Sequence, residues 1–441
     1  MADAREIAVR TLVACEKQGA WSEGYLKRAI HRGGLERRDA ALATRLCFGV
    51  LQNRILLDWY LSRLSHLPLE KLEPYVHANL RVALYQICFL DKIPPSAAVH
   101  EAVRLTRMQV RHPRAAGMVN GILRTYLRTK EELTLPTDWD MVHQMSVQYS
   151  HPRWLVEKFL NRLGPQQTEC LLRENNGQPP ITIQANTVVG TVEELLAALT
   201  ADGVRAEPHP FLDNCLQLFE AGNLERLRAY EQGMFFVQDG AARLSVCAME
   251  LKPGQRVLDC CAAPGGKSFA AAVDMGNRGA VLSCDIHPHK LPLITAGRER
   301  LKLSIVSPTR QDATRHRAEW VAQFDAVLCD VPCSGLGIIR KKPEIRYKNP
   351  QEMEELPHIQ RKIIAQGCQY VKPGGTLLYS TCTVMEEENE QVIADFLRCH
   401  PEFKLQSRLL PGVGQMDGTI TLWPHLHHTD GFFIAVMKRV R

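Results

Sequence analysis

The chain has 441 residues, of which 45% are hydrophobic and 23% charged, and a formal net charge of +6, which argues for an ordinary soluble protein of about two to four domains. A membrane helix is excluded because no stretch approaches the roughly 20 apolar residues it needs, and the opening residues contain no apolar signal core. Fourteen cysteines without a Cys-x-x-Cys pair argue against a zinc ribbon, and we expect reduced thiols in the cytoplasm.

The first segment of the chain carries the whole net charge. Residues 1–140 contain 21 Lys and Arg against 15 Asp and Glu, and the rest of the chain contains 33 of each. Apolar residues recur in this segment at intervals of three and four, which predicts an all-α domain. The composition changes between Lys130 and Asp140, where Pro136 and four acids occur. We therefore place the helical domain at residues 1–145.

The basic excess of this helical domain has two interpretations. One is a solvated surface, since charge runs usually face water. The other is a phosphate-binding footprint, for which a polyanion such as RNA is the natural partner. Four arginines three or four residues apart favour the footprint, because they can share a helical face or its end. These arginines are Arg104, Arg107, Arg111 and Arg114.

The remaining chain predicts two further domains. In residues 146–237 a helix from His151 to Gly164 precedes short apolar strands and another helix, which indicates a small mixed α/β unit. In residues 238–441 short apolar strands alternate with helices, so we predict a parallel, doubly wound, Rossmann-like α/β domain. The closing stretch GFFIAVMKR resembles an edge strand of that sheet.

The loop CAAPGGK, from Cys261 to Lys267, directly follows the predicted strand RVLDC. Ligands of a doubly wound sheet bind at the carboxyl ends of the strands. Two glycines allow close backbone approach, and a following helix N-terminus can receive an anionic group such as a carboxylate. The loop lacks the dinucleotide motif G-x-G-x-x-G, and Cys261 replaces the first glycine of a P-loop. Simple turn chemistry therefore stays open as the alternative.

Three aspartates follow other predicted strands of the same sheet. Asp285 stands after the second strand, where an acid binds ribose hydroxyls in nucleotide-binding sheets. Asp312 follows the next strand and could receive an adenine amino group, while Asp330 ends the fourth strand. Any one of them alone would be read as a cap or turn former. Three at successive strand ends favour a binding site.

Two cysteines follow two of the predicted strands. Cys333 lies in LCDVPCS after the strand FDAVLCD, and Cys382 lies in STCT after GTLLYST. A parallel sheet can bring these loops side by side despite their distance in sequence. We therefore predict that the two thiols share one active site, although each alone would be read as a buried structural group. A reactive thiol also needs a lowered pKa or a neighbouring base.

These motifs resemble those of a known enzyme family. CAAPGGK, CDxxxxK, DVPCSGLG and STCT occur in the order and spacing of the RNA cytosine-5 methyltransferases. The basic helical segment resembles a NusB-type RNA-binding domain. The combination is similar to the bacterial enzymes that methylate 16S ribosomal RNA, and the resemblance covers nearly the whole chain. The family often has Ser after its nucleophile, whereas this chain has Thr383, which keeps a hydroxyl.

The resemblance implies a methyl donor, a partner and a set of roles. It implies that S-adenosylmethionine is bound, that Cys382 is the nucleophile and that Cys333 assists it. The RNA partner implied is 16S rRNA of the small ribosomal subunit, and we expect a monomer without a membrane partner. The implied cofactor-binding residues are Cys261, Ala262, Ala263, Pro264, Gly265, Gly266, Lys267, Asp285, Asp312 and Asp330.

Other functions stay open at the level of sequence. One is a transfer RNA cytosine-5 methyltransferase, a second is a methyltransferase acting on an exocyclic nitrogen, and a third is a non-catalytic RNA-binding assembly factor. An amino-directed enzyme would have an Asn-Pro-Pro-Tyr-like motif after the fourth strand, where this chain has Asp-Val-Pro-Cys. A pure binding protein would not depend on either cysteine.

Two weaker signals remain in the predicted last domain. The segment IIRKKPEIRYK suits either a site for RNA phosphates or a solvated loop. Its basic residues are Arg340, Lys341, Lys342, Arg346 and Lys348. Three histidines in WPHLHHTD fit no familiar zinc spacing, so we expect no metal site. They are His425, His427 and His428.

Overall fold

The computed structural model describes residues 3–18, 22–219 and 221–440. The first two residues of the predicted first domain and the last residue of the predicted last domain therefore lie outside the described residues. By its packing the chain divides into two units. The helical unit comprises Met1–Gly177 and Lys342–Lys348, and the α/β unit comprises Gln178–Lys341 and Asn349–Arg441. The domain boundaries at 145/146 and 237/238 stay predictions.

The helical unit consists of eight α-helices within the described residues, which confirms the predicted all-α fold of this part of the chain. They are α1 (Ala4–Gln18), α2 (Ser22–Gly33), α3 (Arg37–Leu64), α4 (Pro74–Phe89), α5 (Pro95–Gln109), α6 (Ala115–Thr129), α7 (Met141–Gln148) and α8 (Arg153–Asn175). Leucines at helical spacing, such as Leu57 and Leu61 of α3 and Leu80 and Leu84 of α4, are fully buried in one core. In the described part of the chain no helix is both long and apolar enough to cross a membrane.

The helix predicted to end at Gly164 bends there and continues. Gly164 has a φ of 72°, which is outside the helical region, and Pro165 follows it. Proline is tolerated in the first turn of a helix, because the N–H that it lacks would have no partner there. A second helical segment therefore starts after the break and carries α8 on to Asn175.

A small four-stranded antiparallel sheet begins the α/β unit, and its strand order is β2-β3-β1-β4. The strands are β1 (Ile181–Ala185), β2 (Arg205–Pro208), β3 (Cys215–Phe219) and β4 (Phe235–Val237), and the helices are α9 (Val192–Ala201) and α10 (Arg228–Glu231). Thr191 and Glu194 form a capping box at the start of α9. The small mixed α/β unit predicted from the sequence is confirmed.

The large sheet has eight strands in the order β10-β14-β9-β8-β5-β6-β7, with β13 also paired to β14. Strands β5 to β9 are mutually parallel. Its strands are β5 (Arg256–Asp259), β6 (Ala280–Asp285), β7 (Val306–Arg310), β8 (Phe324–Asp330), β9 (Val371–Thr381), β10 (Phe403–Leu405), β13 (Thr419–Leu422) and β14 (Phe432–Arg439), and a separate hairpin contains β11 (Ser407–Leu410) and β12 (Gly414–Asp417). The predicted Rossmann-like domain is confirmed.

Helices cover both faces of this sheet. Successive residues of β8 point to opposite sides, so Val327 packs in one hydrophobic core and Leu328 in another. The helices of this part are α11 (Gly240–Cys247), α12 (Gly266–Asp274), α13 (Leu291–Arg300), α14 (Leu356–Tyr370), α15 (Glu390–Cys399) and α16 (Pro424–His427). The chain reverses its direction of winding between β5 and β8, which is where such sheets bind their ligands.

The prediction of an edge strand at the C-terminus is wrong. Strand β14 pairs antiparallel with β9 on one side and with β10 and β13 on the other. Its residues Phe432 to Met437 are all buried. An unbroken apolar run is the pattern of a strand covered on both faces, whereas an exposed edge strand would alternate with polar residues.

Candidate active site

The carboxyl ends of the parallel strands bring the predicted site residues to one edge of the sheet. Asp330 at the end of β8 lies directly opposite Ser380 near the end of β9. The loops that follow these two strands contain Cys333 and Cys382. Strand β5, which ends at Asp259 before the CAAPGGK loop, pairs with the other side of β8. One edge therefore holds both cysteine loops and the glycine loop.

The two thiols predicted to share a site are in contact. The Sγ atoms of Cys333 and Cys382 lie 3.3 Å apart, and both residues are half-buried, so a substrate can reach them. Each thiol follows the strand expected from the sequence. All fourteen cysteines are among the described residues, and none of them forms a disulfide there.

The surroundings distinguish the two thiols. The hydrogen bond from Cys333 lowers the pKa of Cys382, and the ammonium group of Lys267 acts in the same direction. The same hydrogen bond, together with burial, raises the pKa of Cys333 well above its ordinary value. Because the thiolate is the nucleophilic form of cysteine, these directions favour Cys382 over Cys333 as a nucleophile.

Lys267 and Asp330 form an ion pair beside the thiols. The Nζ atom of Lys267 lies 2.6 Å from Oδ2 of Asp330, whose Oδ1 accepts a hydrogen bond from Ser380 at 2.8 Å. The charge of Asp330 raises the pKa of Lys267 despite its burial, so the lysine stays cationic. Lys267 thus reaches across from the glycine loop to the cysteine side of the edge.

Two backbone hydrogen bonds join the two cysteine loops to each other and to the residue before β14. The N–H of Gly337 donates to the carbonyl oxygen of Cys382 at 2.9 Å, and the N–H of Gly431 donates to the carbonyl oxygen of Gly337 at 2.9 Å. A Cβ atom on Gly337 would lie 1.9 Å from the carbonyl oxygen of Gly431. Only glycine therefore allows this close approach.

The glycine loop and a buried carboxylate offer a place for a cofactor. Asp259 is almost fully buried, and its Oδ2 accepts a hydrogen bond from Ser268 at 2.7 Å. Its Oδ1 has no partner among the described residues, and burial raises the pKa of Asp259 to about 7. An amino group of a ligand would satisfy this acceptor, so the edge fits the amino-acid part of S-adenosylmethionine. The sequence reasoning missed Asp259.

The other predicted cofactor residues lie at the same edge of the sheet, and they differ in how far their polar atoms are already hydrogen-bonded within the protein. Asp285 accepts the N–H of His287 through Oδ1 at 2.8 Å. Asp312 accepts both the N–H and the hydroxyl of Thr314 through its Oδ1, which lowers its pKa and makes it a turn former. Gly266 starts α12 with open space beside its Cα, because a Cβ there would meet no atom closer than 3.8 Å.

Two arginines of the basic segment after Cys333, Arg340 and Arg346, are buried inside the protein. Arg340 and Lys341 pair with the buried carboxylate of Asp430 at 3.0 and 2.7 Å. Arg346 is fully buried in the helical unit, where it donates to the carbonyl oxygens of Gln52 and Ser150 and to other oxygens. For Arg340 and Arg346, neither the predicted phosphate contacts nor the predicted solvated loop agrees with the structure, whereas Lys341 is exposed.

The four arginines of the predicted footprint are not equivalent. Arg104 is paired with Asp3 and Glu101. Helix α5 ends at Gln109, so it carries Arg107 but not the next two arginines. The three exposed members of the set are Arg107, Arg111 and Arg114.

Comparisons with known proteins cover the whole chain. The family described as 16S rRNA methyltransferase RsmB/F matches residues 246–438, the NusB family matches residues 2–128, and a ferredoxin-like domain of RsmF/B-like methyltransferases matches residues 151–225. The probable ribosomal RNA small subunit methyltransferase B of Bacillus subtilis is 36% identical and is covered over 98% of its length by 99% of this chain. The ribosomal RNA small subunit methyltransferase B of Erwinia tasmaniensis is 32% identical, with coverage of 99% and 100%.

Solved structures agree with this result. The crystal structure of PH0851 superimposes with a TM-score of 0.81 at 28% identity over 99% of both chains. The structure of NSun6 from Pyrococcus horikoshii with SFG has a TM-score of 0.58 at 22% identity, over 66% of this chain and 98% of that one, and shows the fold alone.

Fold and site together define a Rossmann-like methyltransferase preceded by a NusB-like helical region. The chain belongs to the RsmB/F family of 16S rRNA methyltransferases. The resemblance noted from the sequence motifs is thereby confirmed, and the family is one of small-subunit rRNA methyltransferases.

Proposed function

We propose that this protein methylates carbon 5 of a cytosine in 16S rRNA through a covalent bond between Cys382 and the base. The observation that carries the proposal is the contact of two thiols, 3.3 Å apart, at the ligand-binding edge of the sheet. Methylation of an exocyclic amino group needs no thiol. We place the reaction in the cytoplasm, where thiols stay reduced, and expect a monomeric enzyme.

The chemistry explains why a low-pKa thiol is useful here. Carbon 5 of cytosine is too electron-poor to attack a methyl sulfonium, so the Cys382 thiolate first forms a bond to carbon 6. The electrons of the C5–C6 double bond then become available at carbon 5. A hydrogen bond or proton at the ring nitrogen assists this addition, and we assign its supply to the Asp330–Lys267 ion pair.

The methyl group comes from S-adenosylmethionine, which supplies an electrophilic carbon when bound. Residues of the glycine loop, with Asp259 and Asp285, would hold it, and the Oδ1 of Asp259, which has no partner among the described residues, would accept a hydrogen bond from its amino group. The contacts of Asp312 make it a secondary member of this set.

Release of the product needs a base. Once carbon 5 has gained a methyl group, its proton must leave, the C5–C6 double bond re-forms, and the C6–S bond breaks to return the Cys382 thiolate. Cys333 lies against Cys382 and has a raised pKa, so once its own proton has passed to solvent water, its thiolate is a strong proton acceptor. We assign it the removal of the carbon-5 proton.

Tritium release tests the proposed reaction. RNA transcribed with cytidine tritiated at carbon 5 should lose tritium to water in step with methyl transfer, because the methyl group replaces that hydrogen. Transcripts of 16S rRNA and of transfer RNA should be compared, and we expect release from the 16S transcript. Methyl transfer without tritium release would point to an amino-directed enzyme, and neither signal would point to a non-catalytic assembly factor. Release from transfer RNA alone would change the substrate.

The assignment of Asp285 to the cofactor predicts a binding defect. Asp285→Ala should weaken binding of S-adenosylmethionine by about 1–3 kcal/mol, or roughly 5- to 150-fold in Kd, if charge-assisted hydrogen bonds to ribose are lost. Calorimetry checks this value. Asp417→Ala, an exposed carboxylate on the separate hairpin, is the control and should bind normally. Unchanged affinity for Asp285→Ala would remove this residue from the site.

The exposed arginines of the helical unit predict a salt-dependent RNA contact. Replacing Arg107 and Arg111 by Gln should weaken binding to a 16S fragment and lower the slope of log affinity against log salt by about 1.5, since each lost phosphate contact removes about 0.7–0.9. The double variant of Arg226 and Lys252, both exposed in the α/β unit, removes equal charge. Equal effects of the two double variants would show that only net charge matters.

A further inference from the structure

Two successive residues at the start of α15 hold the two cysteine loops. Glu388 and Asn389 are both buried, with exposed fractions of 3% and 0%. Neither was singled out by the sequence reasoning, because a Glu-Asn pair inside the run MEEENE looks like part of a solvated helix start.

The side chain of Glu388 grips the Cys333 loop. One carboxylate oxygen accepts the N–H of Ser334 at 2.9 Å and the amide of Gln360 at 2.9 Å, and the other accepts the hydroxyl of Ser334 at 2.5 Å. Gln360 also donates to the carbonyl oxygen of Pro332 at 3.0 Å. The residues before and after Cys333 are therefore both tied to this one carboxylate.

The side chain of Asn389 grips the Cys382 loop instead. Its Oδ1 accepts the hydroxyl of Thr381 at 2.6 Å, and its Nδ2 donates to the carbonyl oxygen of Thr383 at 3.0 Å. Asn389 stands at the N-cap position of α15, where asparagine usually bonds to its own helix, yet it makes no such bond. Instead, Asn389 holds the residues on both sides of Cys382, which are Thr381 and Thr383.

The hydrogen bonds made by Glu388 and those made by Asn389 are connected to each other, and burying the Glu388 carboxylate costs free energy. The hydroxyls of Ser334 and Thr383, each the residue after one cysteine, lie 2.8 Å apart. The hydrogen-bond donors around Glu388 are neutral groups, and a carboxylate in the interior is expensive even when it is hydrogen-bonded. A role in packing alone would be served by an apolar residue, so the carboxylate indicates a function.

We infer that Glu388 and Asn389 are positioning residues with separate tasks: Glu388 sets Cys333 for product release, and Asn389 sets Cys382 for attack. This inference rests on the proposed covalent function. The hydrogen bond to Cys382 and burial are the main causes of the raised pKa of Cys333. The negative charge of Glu388 raises this pKa further, which makes the Cys333 thiolate a stronger base.

Two substitutions separate the tasks. Glu388→Gln should form the covalent RNA adduct at nearly the wild-type rate but release it about tenfold more slowly, so the adduct accumulates on denaturing gels. Asn389→Ala should form the adduct about tenfold more slowly and accumulate none. Single-turnover reactions with labelled RNA and S-adenosylmethionine give both rates. Glu386→Gln, an exposed neighbour, is the matched control and should behave as wild type.

Equal slowing of formation and release in both variants would overturn the inference and show a structural role only. Wild-type kinetics for Glu388→Gln would overturn it as well. Thermal unfolding monitors the fold of each variant. If Glu388→Gln does not fold, Ser334→Ala removes one hydrogen bond to the carboxylate and should show the same release defect to a smaller degree, and its absence would count against the inference.

Thiol alkylation separates this inference from the proposed reaction, because it uses no RNA. Iodoacetamide labelling, followed by mass spectrometry of the peptides that contain Cys333 and Cys382, gives the pH midpoint of each thiol. Glu388→Gln should lower the midpoint of Cys333, because a negative charge is removed, and Asn389→Ala should slow labelling of Cys382. These shifts without any tritium release would uphold the positioning and sink the covalent mechanism. Unchanged midpoints and rates would sink the positioning.

Discussion

Replacing Cys382 by Ala should abolish methyl transfer, with a loss of roughly a thousandfold or more, as is usual when an enzyme loses its nucleophile. Cys333 should not take over the attack, because burial and the charges of Glu388 and Asp330 still raise its pKa when Cys382 is absent. Binding of S-adenosylmethionine should stay intact, since the glycine loop and Asp259 are unchanged. Tritium release and calorimetry measure the two properties on one preparation.

The control for this variant is Cys399→Ala, which removes an exposed thiol in the last turn of α15. It should retain full activity. Residual turnover of Cys382→Ala within tenfold of the wild type would contradict a covalent role, and loss of cofactor binding would instead indicate a general collapse of the site.

Replacing Cys333 by Ala should still allow the bond between Cys382 and carbon 6 of cytosine to form, but it should slow the breaking of that bond. The adduct should form, but turnover should fall by about 10²–10⁴-fold, the range for loss of a general base. The removed side chain lies 3.3 Å from the nucleophile, so the local geometry also loses a hydrogen-bond donor to Cys382. Addition should therefore be somewhat slower at low pH, where the thiolate of Cys382 is less populated.

The measurement is the fraction of labelled RNA that stays bound to the protein in denaturant, followed over time. Accumulation in Cys333→Ala, with none in wild type at steady state, is the expected pattern. Accumulation in Cys382→Ala and none in Cys333→Ala would reverse the roles of the two thiols.

The parts of the site that follow from strand order could be predicted from sequence. An apolar strand followed by a loop with Cys333 or Cys382 can be placed at one edge of a sheet because parallel strands share that edge. The alternation of strands and helices gives the Rossmann-like domain for the same reason. Periodic leucines such as Leu80 and Leu84 likewise predict buried helix faces.

The parts that depend on long-range packing could not be predicted. From its charge, Arg346 is predicted to contact solvent or phosphate, yet its two terminal guanidinium nitrogens donate to carbonyl oxygens brought together from three distant segments of the helical unit. Strand β14 gains its second neighbours from β10 and β13, which are too short to be recognised. Nothing local in the sequence distinguishes Glu388 from the exposed Glu386.

The central claim is that Cys382, and not Cys333, bonds to carbon 6 of the target cytosine. Mass spectrometry of the trapped complex tests it most directly: Cys333→Ala is incubated with a 16S fragment and S-adenosylmethionine, digested with trypsin and ribonuclease, and searched for the peptide that carries a nucleotide. We predict a methylated cytidine nucleotide on the peptide that contains Cys382, and its absence from the same experiment with the double variant Cys333→Ala/Cys382→Ala. A nucleotide attached to any other residue, or equal adduct in the double variant, would contradict the account.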